Sequence, residues 1–407
     1  MKILYIHQYF RTPYEPGGTR SYWISQELIK NGHKITMLTT TERPMNSGVE
    51  REHIDGIDVV YINVPYNNSM GLLKRLMSFI RFMVKSLSIA WREKNVGLVL
   101  ATSTPLTVGF PALVLKKFKK IPYVFEVRDL WPEVPIQMGA LKNKFLIYIA
   151  KWFEKIIYEN AMHIVSLSPG MYDGVVARGI EEEKVTMIPN MSKIDSFWPR
   201  PKNLELISKL ELSKDSFKIA YFGAMGASNA MDSILEAARH LKNYDDIDFL
   251  FMGHGAMEQV LKESAYEEGL SNLNFYGNIA MSKLSEIVNF CDVSLVTFSN
   301  LPILATNSPN KLFDSLSAGK PIIVNSPGWT KDLVERYKCG VFVEPENPQD
   351  LANKIVHLKN SPELVAKMGK NSRELAETKY DKSILCAQFA TVIESQILKL
   401  TKNTSVK

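Results

Sequence analysis

KILYIHQYFRTPYEPGGTRSYWISQELIKNGHKITMLTT, residues 2–40, decides the fold. It opens on an unbroken apolar strand pattern, KILYIH (2–7). It then crosses a loop holding Gly17-Gly18 and enters the helical stretch TRSYWISQELIKNG, which stops at Gly32. A second apolar run, KITMLTT (34–40), follows at once. Strand, crossover helix and strand make one unit of a parallel sheet, and apolar runs without alternation mark strands covered on both faces.

The same alternation runs outward from there. IDVVYINV (57–64), VGLVLATS (96–103), YVFEV (123–127), HIVSLS (163–168) and VTMIPN (185–190) read as further strands, joined by stretches long enough for helices. SFWPRPKNLE (196–205) is a Pro-rich polar break. Beyond it the pattern restarts with KIAYFG (218–223), DFLFMG (248–253), NFYG (274–277), VSLVTF (293–298), PIIVN (321–325) and CGVFVE (339–344), and residues 349–400 read as consecutive helices. The expected architecture is α/β, two doubly wound Rossmann-like domains facing across a cleft. Residues 1–198 form the first, 199–380 the second, and 381–407 a C-terminal helix returning to the first.

A chain of 407 residues with 45% hydrophobic and 23% charged residues fits two globular domains. The start reads as a strand, so no secretory signal is expected, and no apolar stretch is long enough to span a bilayer. Cys291, Cys339 and Cys386 are scattered without metal-ligand spacing, as for buried thiols in a reducing cytoplasm. Charge is uneven: residues 1–199 carry 25 Lys/Arg against 18 Asp/Glu, while the remainder is close to balanced. An anionic partner is therefore expected on the first half. Nucleic acid is set aside, because no aromatic-basic motif accompanies the basic residues.

Two loops have the make-up of anion sites. Gly17 and Gly18 precede a helix whose first amides are unpaired, although a Gly pair before a helix is also an ordinary turn. In SPNKLFDSLSAGKP (308–321), Ser308 suits an N-cap, Pro309 the first helical position, and Asn310 and Lys311 the first turn. Lys311 reads either as a solvated first-turn residue or, because a lysine there opposes the helix dipole, as one that joins the amides and dipole in holding a diphosphate. Asp314, one turn on, reads either as an acceptor for ribose hydroxyls or as an acid placed near a helix start. His254, in GHGAMEQVL (253–261), reads either as an ordinary turn histidine or as one facing a phosphate or base, and the backbone of GNIAMSKL (277–284) could pair with a nucleobase edge.

EVRDLWPE (126–133) stands at a strand's end. Glu126, Arg128 and Asp129 are costly to desolvate unless paired or facing a ligand. Each singly could belong to a buried ion pair; as a cluster at a strand's carboxyl end they point to function.

Together IHQYF (6–10) with its Gly-Gly loop, EVRDLWPE, IPN (188–190) and SPNKLFDSLSAGKP resemble glycosyltransferase family four over nearly the whole chain. These are retaining GT-B enzymes that use nucleotide sugars, and the likeness points to the O-antigen and capsule branch that includes N-acetyl-L-fucosamine transferases. The resemblance implies transfer of an N-acetylated deoxyhexosamine or hexose from a UDP-sugar, with retention, to a lipid-linked or saccharide acceptor, without a metal or other cofactor. It assigns Glu126, Arg128, Asp129 and Lys311 to catalysis. It assigns Gly17, Gly18, Gly223, Gly226, His254, Ile279, Ser308, Asn310, Lys311, Leu312 and Asp314 to the donor, and His7, Tyr9, Arg20, Ser103 and Thr104 to the acceptor. The chain departs from the family in two places. Of two glutamates eight positions apart, the first falls on Thr306 and the second on Asp314. The basic pair after the second domain's first strand is replaced by GAMGASNA (223–230). A nucleotide-sugar epimerase and a non-catalytic GT-B scaffold are the competing readings.

Between Asp58 and Glu126 the only acidic residue is Glu93, against ten Lys/Arg. In GLLKRLMSFIRFMVKSLSIAWREK (71–94), Lys74, Arg81, Lys85 and Arg92 share a helical face, with Leu72, Leu76, Ile80, Met83 and Leu87 opposite. Residues 142–160 repeat the design, with Lys144, Lys151 and Lys155 facing away from Ile149, Phe153 and Ile156. Such faces are either core-backed helices with solvated lysines or a contact for anionic lipid. The expected location is cytoplasmic, peripheral on the inner face of the cytoplasmic membrane.

Overall fold

The computed structural model describes residues 1–15, 17–65 and 70–405. The chain divides into two compact units. One comprises 1–13, 17–189 and 383–407; the other comprises 14–16 and 190–382.

The first unit is built on an eight-stranded sheet. Its strands are β1 (Lys2–Ile6), β2 (Lys34–Thr39), β3 (Val49–Ile54), β4 (Ile57–Ile62), β5 (Val96–Thr102), β6 (Tyr123–Val127), β7 (His163–Ser166) and β8 (Val185–Met187). They lie in the order β3-β4-β2-β1-β5-β6-β7-β8. All pairs are parallel except β3 with β4. Ile3 to Ile6 and Leu98 to Ala101 are fully buried, as strands covered on both faces must be. The antiparallel edge strand β3 departs from the expected all-parallel sheet. Its residues VEREHI bury almost nothing, so no apolar period announces it. The Asp55-Gly56 turn, with φ of 47° and 84°, sets it instead. Two positive φ values in a two-residue loop are the primed hairpin turn.

Helices of this unit include α1 (Arg20–Lys30), α2 (Leu72–Arg92) and α3 (Gly109–Lys119). Right-handed crossovers that move along the sheet in opposite directions place α1 on one face and α2 and α3 on the other. The helix Lys144–Asn160 joins α3, where Ile157 abuts Gly109 and the Phe110 and Phe153 rings lie 6.3 Å apart. The C-terminal helix Lys382–Ser405 packs on the α1 side, through Asn31 to Glu394 at 2.7 Å and the Phe389 ring beneath Arg20.

The second unit has a six-stranded, wholly parallel sheet in the order β11-β10-β9-β12-β13-β14. The strands are β9 (Phe217–Phe222), β10 (Ile247–Met252), β11 (Leu273–Gly277), β12 (Val293–Val296), β13 (Ile322–Val324) and β14 (Gly340–Phe342). Its core is the apolar set around Ile219, Tyr221, Ile234, Phe249, Phe251, Leu295 and Ile323. Residues 190–198 go with this unit because they are tied to the helix Asn310–Ser317 and the loop before it. The Asn190 amide donates to Ser308 Oγ at 3.2 Å, Ser192 Oγ donates to the Phe313 carbonyl at 3.0 Å, and Lys193 pairs with Asp314.

In each sheet the chain leaves one central strand in one direction and later returns beside it. Those switch points are β1/β5 and β9/β12. At the carboxyl ends flanking such a point, the loops part and leave a crevice for a ligand.

Candidate functional site

In the first unit, neighbouring strand ends bring His7 (after β1), Ser103 and Thr104 (after β5) and Arg128 and Asp129 (after β6) to one edge of the sheet. Arg128 is partly buried and points a guanidinium N–H at His7 Nε2, 3.3 Å away. A guanidinium only donates, so Nε2 must be the accepting nitrogen and Nδ1 carries the proton that His7 gives to Ser21 Oγ at 2.8 Å. Burial, with the charges of Arg128 and Arg11, holds the imidazole well below its usual range, so His7 is neutral. Ser103 Oγ accepts from the Arg128 amide at 3.0 Å, and Thr104 Oγ1 donates to Asp129 at 2.5 Å. Burial pushes the Asp129 carboxyl upward, against that hydrogen bond and the Arg128 charge. The arrangement presents one fixed cation, one neutral imidazole and one carboxyl of raised proton affinity. Tyr9 is partly buried on the following loop. Between His7 and Tyr9, Gln8 is fully buried, and neither its Nε2 nor its Oε1 has a hydrogen-bond partner among the described residues.

Two of the expected site residues take another role. Glu126 and Arg20 are both sealed from solvent, with side chains 0% and 1% exposed. Arg20 Nε donates to Glu126 Oε1 at 2.7 Å, Arg20 also donates to the Ile188 carbonyl at 2.9 Å and to the Pro189 carbonyl, and Thr102 Oγ1 holds Glu126 Oε2 at 2.9 Å. A pair so enclosed has no surface left for substrate. Glu126 is therefore not a catalytic group nor Arg20 an acceptor contact; they hold α1, β6 and the chain after β8 in register. Gly17, at φ 128°, and Gly18 lie on the approach to α1, whose start has no side-chain cap.

In the second unit the helix Asn310–Ser317 starts without a side-chain cap, leaving its first-turn amides unclaimed by a cap. Ser308 is not the N-cap; that position is Pro309, and Ser308 Oγ is taken by the Asn190 amide. Lys311 reaches back to the β9/β12 switch point. Its Nζ donates to Tyr221 Oη at 3.0 Å and lies 4.1 Å from that ring's centroid, with Asn229 Oδ1 at 3.5 Å. A Cβ added at Gly223 would sit 3.9 Å from the ammonium. With no carboxylate beside it among the described residues, burial pulls the Lys311 pKa down to about 7. Tyr221 and Asn229 carried no sequence signal, since a strand tyrosine and a loop asparagine are commonplace.

Asp314, expected to accept from ribose hydroxyls, is engaged within its own unit. It is buried and pairs with Lys193 at 3.1 Å, because residues 190–198 lie against this helix. Leu312 is fully buried, so only its backbone could meet a ligand. Asn310 is partly exposed at the helix start, and Ile279 is half-buried against the core. His254 is held by Glu258 at 2.5 Å while its Nε2 accepts from the Asn278 amide at 3.4 Å. Its glycine neighbours are sterically required: a Cβ at Gly253 would meet the Gly223 carbonyl oxygen at 2.0 Å, and one at Gly255 the Met225 oxygen at 2.2 Å. Those contacts draw the GAMG and GHG loops together at the strand ends; Gly226 is partly exposed among them. No three His, Cys, Asp or Glu side chains converge as metal ligands among the described residues.

Two Rossmann-like units with parallel sheets are the architecture of the GT-B fold. Residues 17–191 match the Glycosyl transferase 4-like domain and residues 203–375 match Glycosyl transferases group 1, so each half of the chain is similar to a glycosyltransferase domain. It is 23% identical to the Pseudomonas aeruginosa protein named as glycosyltransferase WbjE, over 83% of this chain and 84% of that one. To a protein of Escherichia coli strain K12 named for colanic acid biosynthesis, the glycosyl transferase WcaI, it is 24% identical, over 78% and 79%. In fold it is similar to Anabaena Alr3699/HepE, solved in complex with UDP, with a TM-score of 0.71, 17% identity, and coverage of 97% and 100%.

Proposed function

We propose that the protein transfers a sugar, an N-acetylated deoxyhexosamine or hexose, from a UDP-sugar to a lipid-linked or saccharide acceptor in surface polysaccharide synthesis, with retention at the sugar carbon. The observation that carries this is Lys311. Its ammonium sits at the switch point of the second sheet, beside an uncapped helix start and Gly223, with no carboxylate as partner. A diphosphate supplies the missing charge, and a preorganised cation with helix amides stabilises the leaving nucleotide without reorganising. Uridine as the base is supported by the UDP complex of Alr3699/HepE, and surface polysaccharide by the naming of WcaI. His7, Arg128 and Asp129 supply the acceptor-side chemistry of the first unit.

Titration calorimetry with UDP tests the reading. Lys311→Ala is expected to weaken binding by about 1.5–3 kcal/mol, the range of a hydrogen bond to a charged group. An unchanged dissociation constant removes Lys311 from the diphosphate site. Turnover is expected to survive excess EDTA; full inhibition reversed by magnesium or manganese would replace this with a metal-held diphosphate.

The protein is further proposed to work at an anionic membrane surface, as a peripheral protein on the cytoplasmic side. No helix among the described residues is long and apolar enough to cross a membrane. On α2 the buried side chains are Ser78, Phe79, Phe82, Ser86 and Ala90, so Leu76 and Ile80 do not serve the core. They stand exposed with Met77 and Val84, near Lys74, Arg81 and Lys85; the side chain of Leu72 lies outside the described residues. On Lys144–Asn160 the outward residues include Phe145, at 69% exposure, Tyr148, Ile149 and Trp152. Apolar groups this numerous on one basic face exceed what a solvated surface carries.

A further inference from the structure

Between the carboxyl-terminal halves of α2 and α3 lies an open groove of about 590 Å³, lined by Val84, Leu87, Trp91, Val114 and Phe118, with Arg92 at its edge. Trp91 and Phe118 meet edge to face at 6.4 Å, and Lys119 Nζ stands 4.9 Å over the Trp91 ring. Phe118 is 71% exposed. Such a ring on a helix surface, backed by a trough of aliphatic carbon, lacks the contacts that a core would give it.

Charge decides what kind of molecule fits. The segment from Asp58 to Glu126 has ten Lys/Arg and, between those ends, one acid, Glu93. Glu93 is already taken by Lys2 at 2.7 Å and by Arg51. Among the described residues no carboxylate pairs with Arg92 or Lys119, whose ammonium donates to the Trp91 carbonyl, so a partner for this groove brings negative charge together with hydrocarbon. Among common ligands that is an anionic lipid, phosphate at the rim and chain in the trough.

Topology decides which lipid. α2 ends just before β5 begins and α3 ends just before β6, so Trp91 and Phe118 lie at the amino edge of the sheet. His7, Ser103 and Arg128 stand at its carboxyl edge. The seven residues of β5 separate the two edges, roughly 20 Å at the usual rise of a strand. A lipid in the groove cannot also present its headgroup to those residues, so it is not the acceptor.

We propose that the α2–α3 groove holds one hydrocarbon chain of an anionic bilayer phospholipid, with Arg92 and Lys119 at its phosphate, fixing the first unit on the membrane by the end remote from its reactive edge. This rests on the proposed membrane-surface location and adds a defined, one-to-one lipid site to it.

The test uses the full chain with phosphatidylglycerol and phosphatidylcholine, in native mass spectrometry and vesicle flotation. Val114→Trp fills the groove. Phe118→Asp changes a largely exposed position whose ring contact is with Trp91 in the groove itself, and guards against a Val114→Trp protein that misfolds. The expected result is one phosphatidylglycerol retained per wild-type chain, little phosphatidylcholine, loss of the retained lipid in both variants, and vesicle affinity weaker by about tenfold yet still measurable. Wild-type binding to anionic vesicles with no retained lipid, unchanged in both variants, overturns the groove and leaves the membrane reading standing. Equal retention of both lipids overturns the requirement for an anionic headgroup, since both lipids carry a phosphate and only phosphatidylglycerol carries net charge. No vesicle binding at low salt overturns both readings. A stable dimer of wild type that Phe118→Asp dissociates, again without lipid, assigns the groove to a second copy of the chain and overturns the lipid.

Discussion

Two basic side chains, one in each unit, occupy comparable places and face opposite circumstances. Arg20 at the start of α1 is enclosed, with Glu126, Ile188 and Pro189 taking its donors. Lys311 in the first turn of its helix has a phenol hydroxyl, an aromatic face and a distant amide oxygen, but no anion. Desolvating a cation costs free energy wherever it happens, and only a partner of opposite charge offsets most of it. Arg20 meets its partner inside the fold. Lys311 does not, and its depressed pKa records the difference. Arg20, a closed charge, is neutralised inside the fold and holds structure together; under the proposed function Lys311, an open one, is neutralised by a ligand.

The largest expected effect tests the closed charge. Arg20→Ala strands Glu126 in a site sealed from solvent, a change of about 3–5 kcal/mol in folding stability for a broken buried pair. Thermal melting should show it as a steep loss, while Lys311→Met should melt no lower than wild type, because it removes a desolvated cation and keeps the packing. If the two variants lose equal stability, the contrast between the sites fails.

Arg128 lies between these extremes. It donates to His7 and is partly buried, without a carboxylate hydrogen-bonded to its guanidinium. If it serves the developing charge of the reaction, Arg128→Ala should lower kcat by about 100- to 1000-fold, the usual cost of one preorganised donor, with the melting temperature little changed. Collapse of folding with normal turnover per folded molecule would move Arg128 to the structural side with Arg20.

Much of the fold was legible because burial on both faces writes itself as apolar runs. The strands at 2–7, 34–40, 123–127 and 218–223 could be read nearly to the residue. VEREHI could not, since an exposed edge strand is specified by its Asp55-Gly56 turn and its pairing with β4, not by its own side chains. The site was less legible. EVRDLWPE reads as one functional cluster, yet Glu126 lies within β6, facing Arg20 across 106 residues of sequence, while Arg128 falls beyond the strand's end. Local sequence carries no sign of a partner that distant. Asp314 shows the same limit, because Lys193 comes to it from a segment 121 residues away in sequence, as 314 minus 193. The outward face of α2 was misread at one level and informative at another. Its apolar residues form two stripes, and periodicity alone does not tell which stripe, Phe79-Phe82 or Leu76-Ile80, goes to the core.

The smallest expected effect is also the most specific to an open charge. In the empty protein burial holds Lys311 at a pKa of about 7. A diphosphate beside it favours the ammonium and raises that pKa, so in the interval between the free and bound values each nucleotide that binds takes up a proton. The sign follows directly. Below pH 7 the lysine is already charged and its contribution to UDP binding is constant; above pH 7 the dissociation constant should rise, by up to about tenfold per pH unit, until the bound-state pKa is passed. The same depression makes folding stability of the empty protein increase as pH climbs from 7 toward the ordinary lysine range, because the unfolded chain then holds the extra proton. Calorimetry at pH 8 in buffers of different ionisation enthalpy measures the uptake itself, above the range where a terminal phosphate titrates. Lys311→Arg, charged throughout, should bind with no such slope and no such uptake. A flat dissociation constant from pH 7 to 8.5 in wild type, with no protons taken up, would mean that Lys311 meets no anion when UDP binds, and the open charge would need another partner.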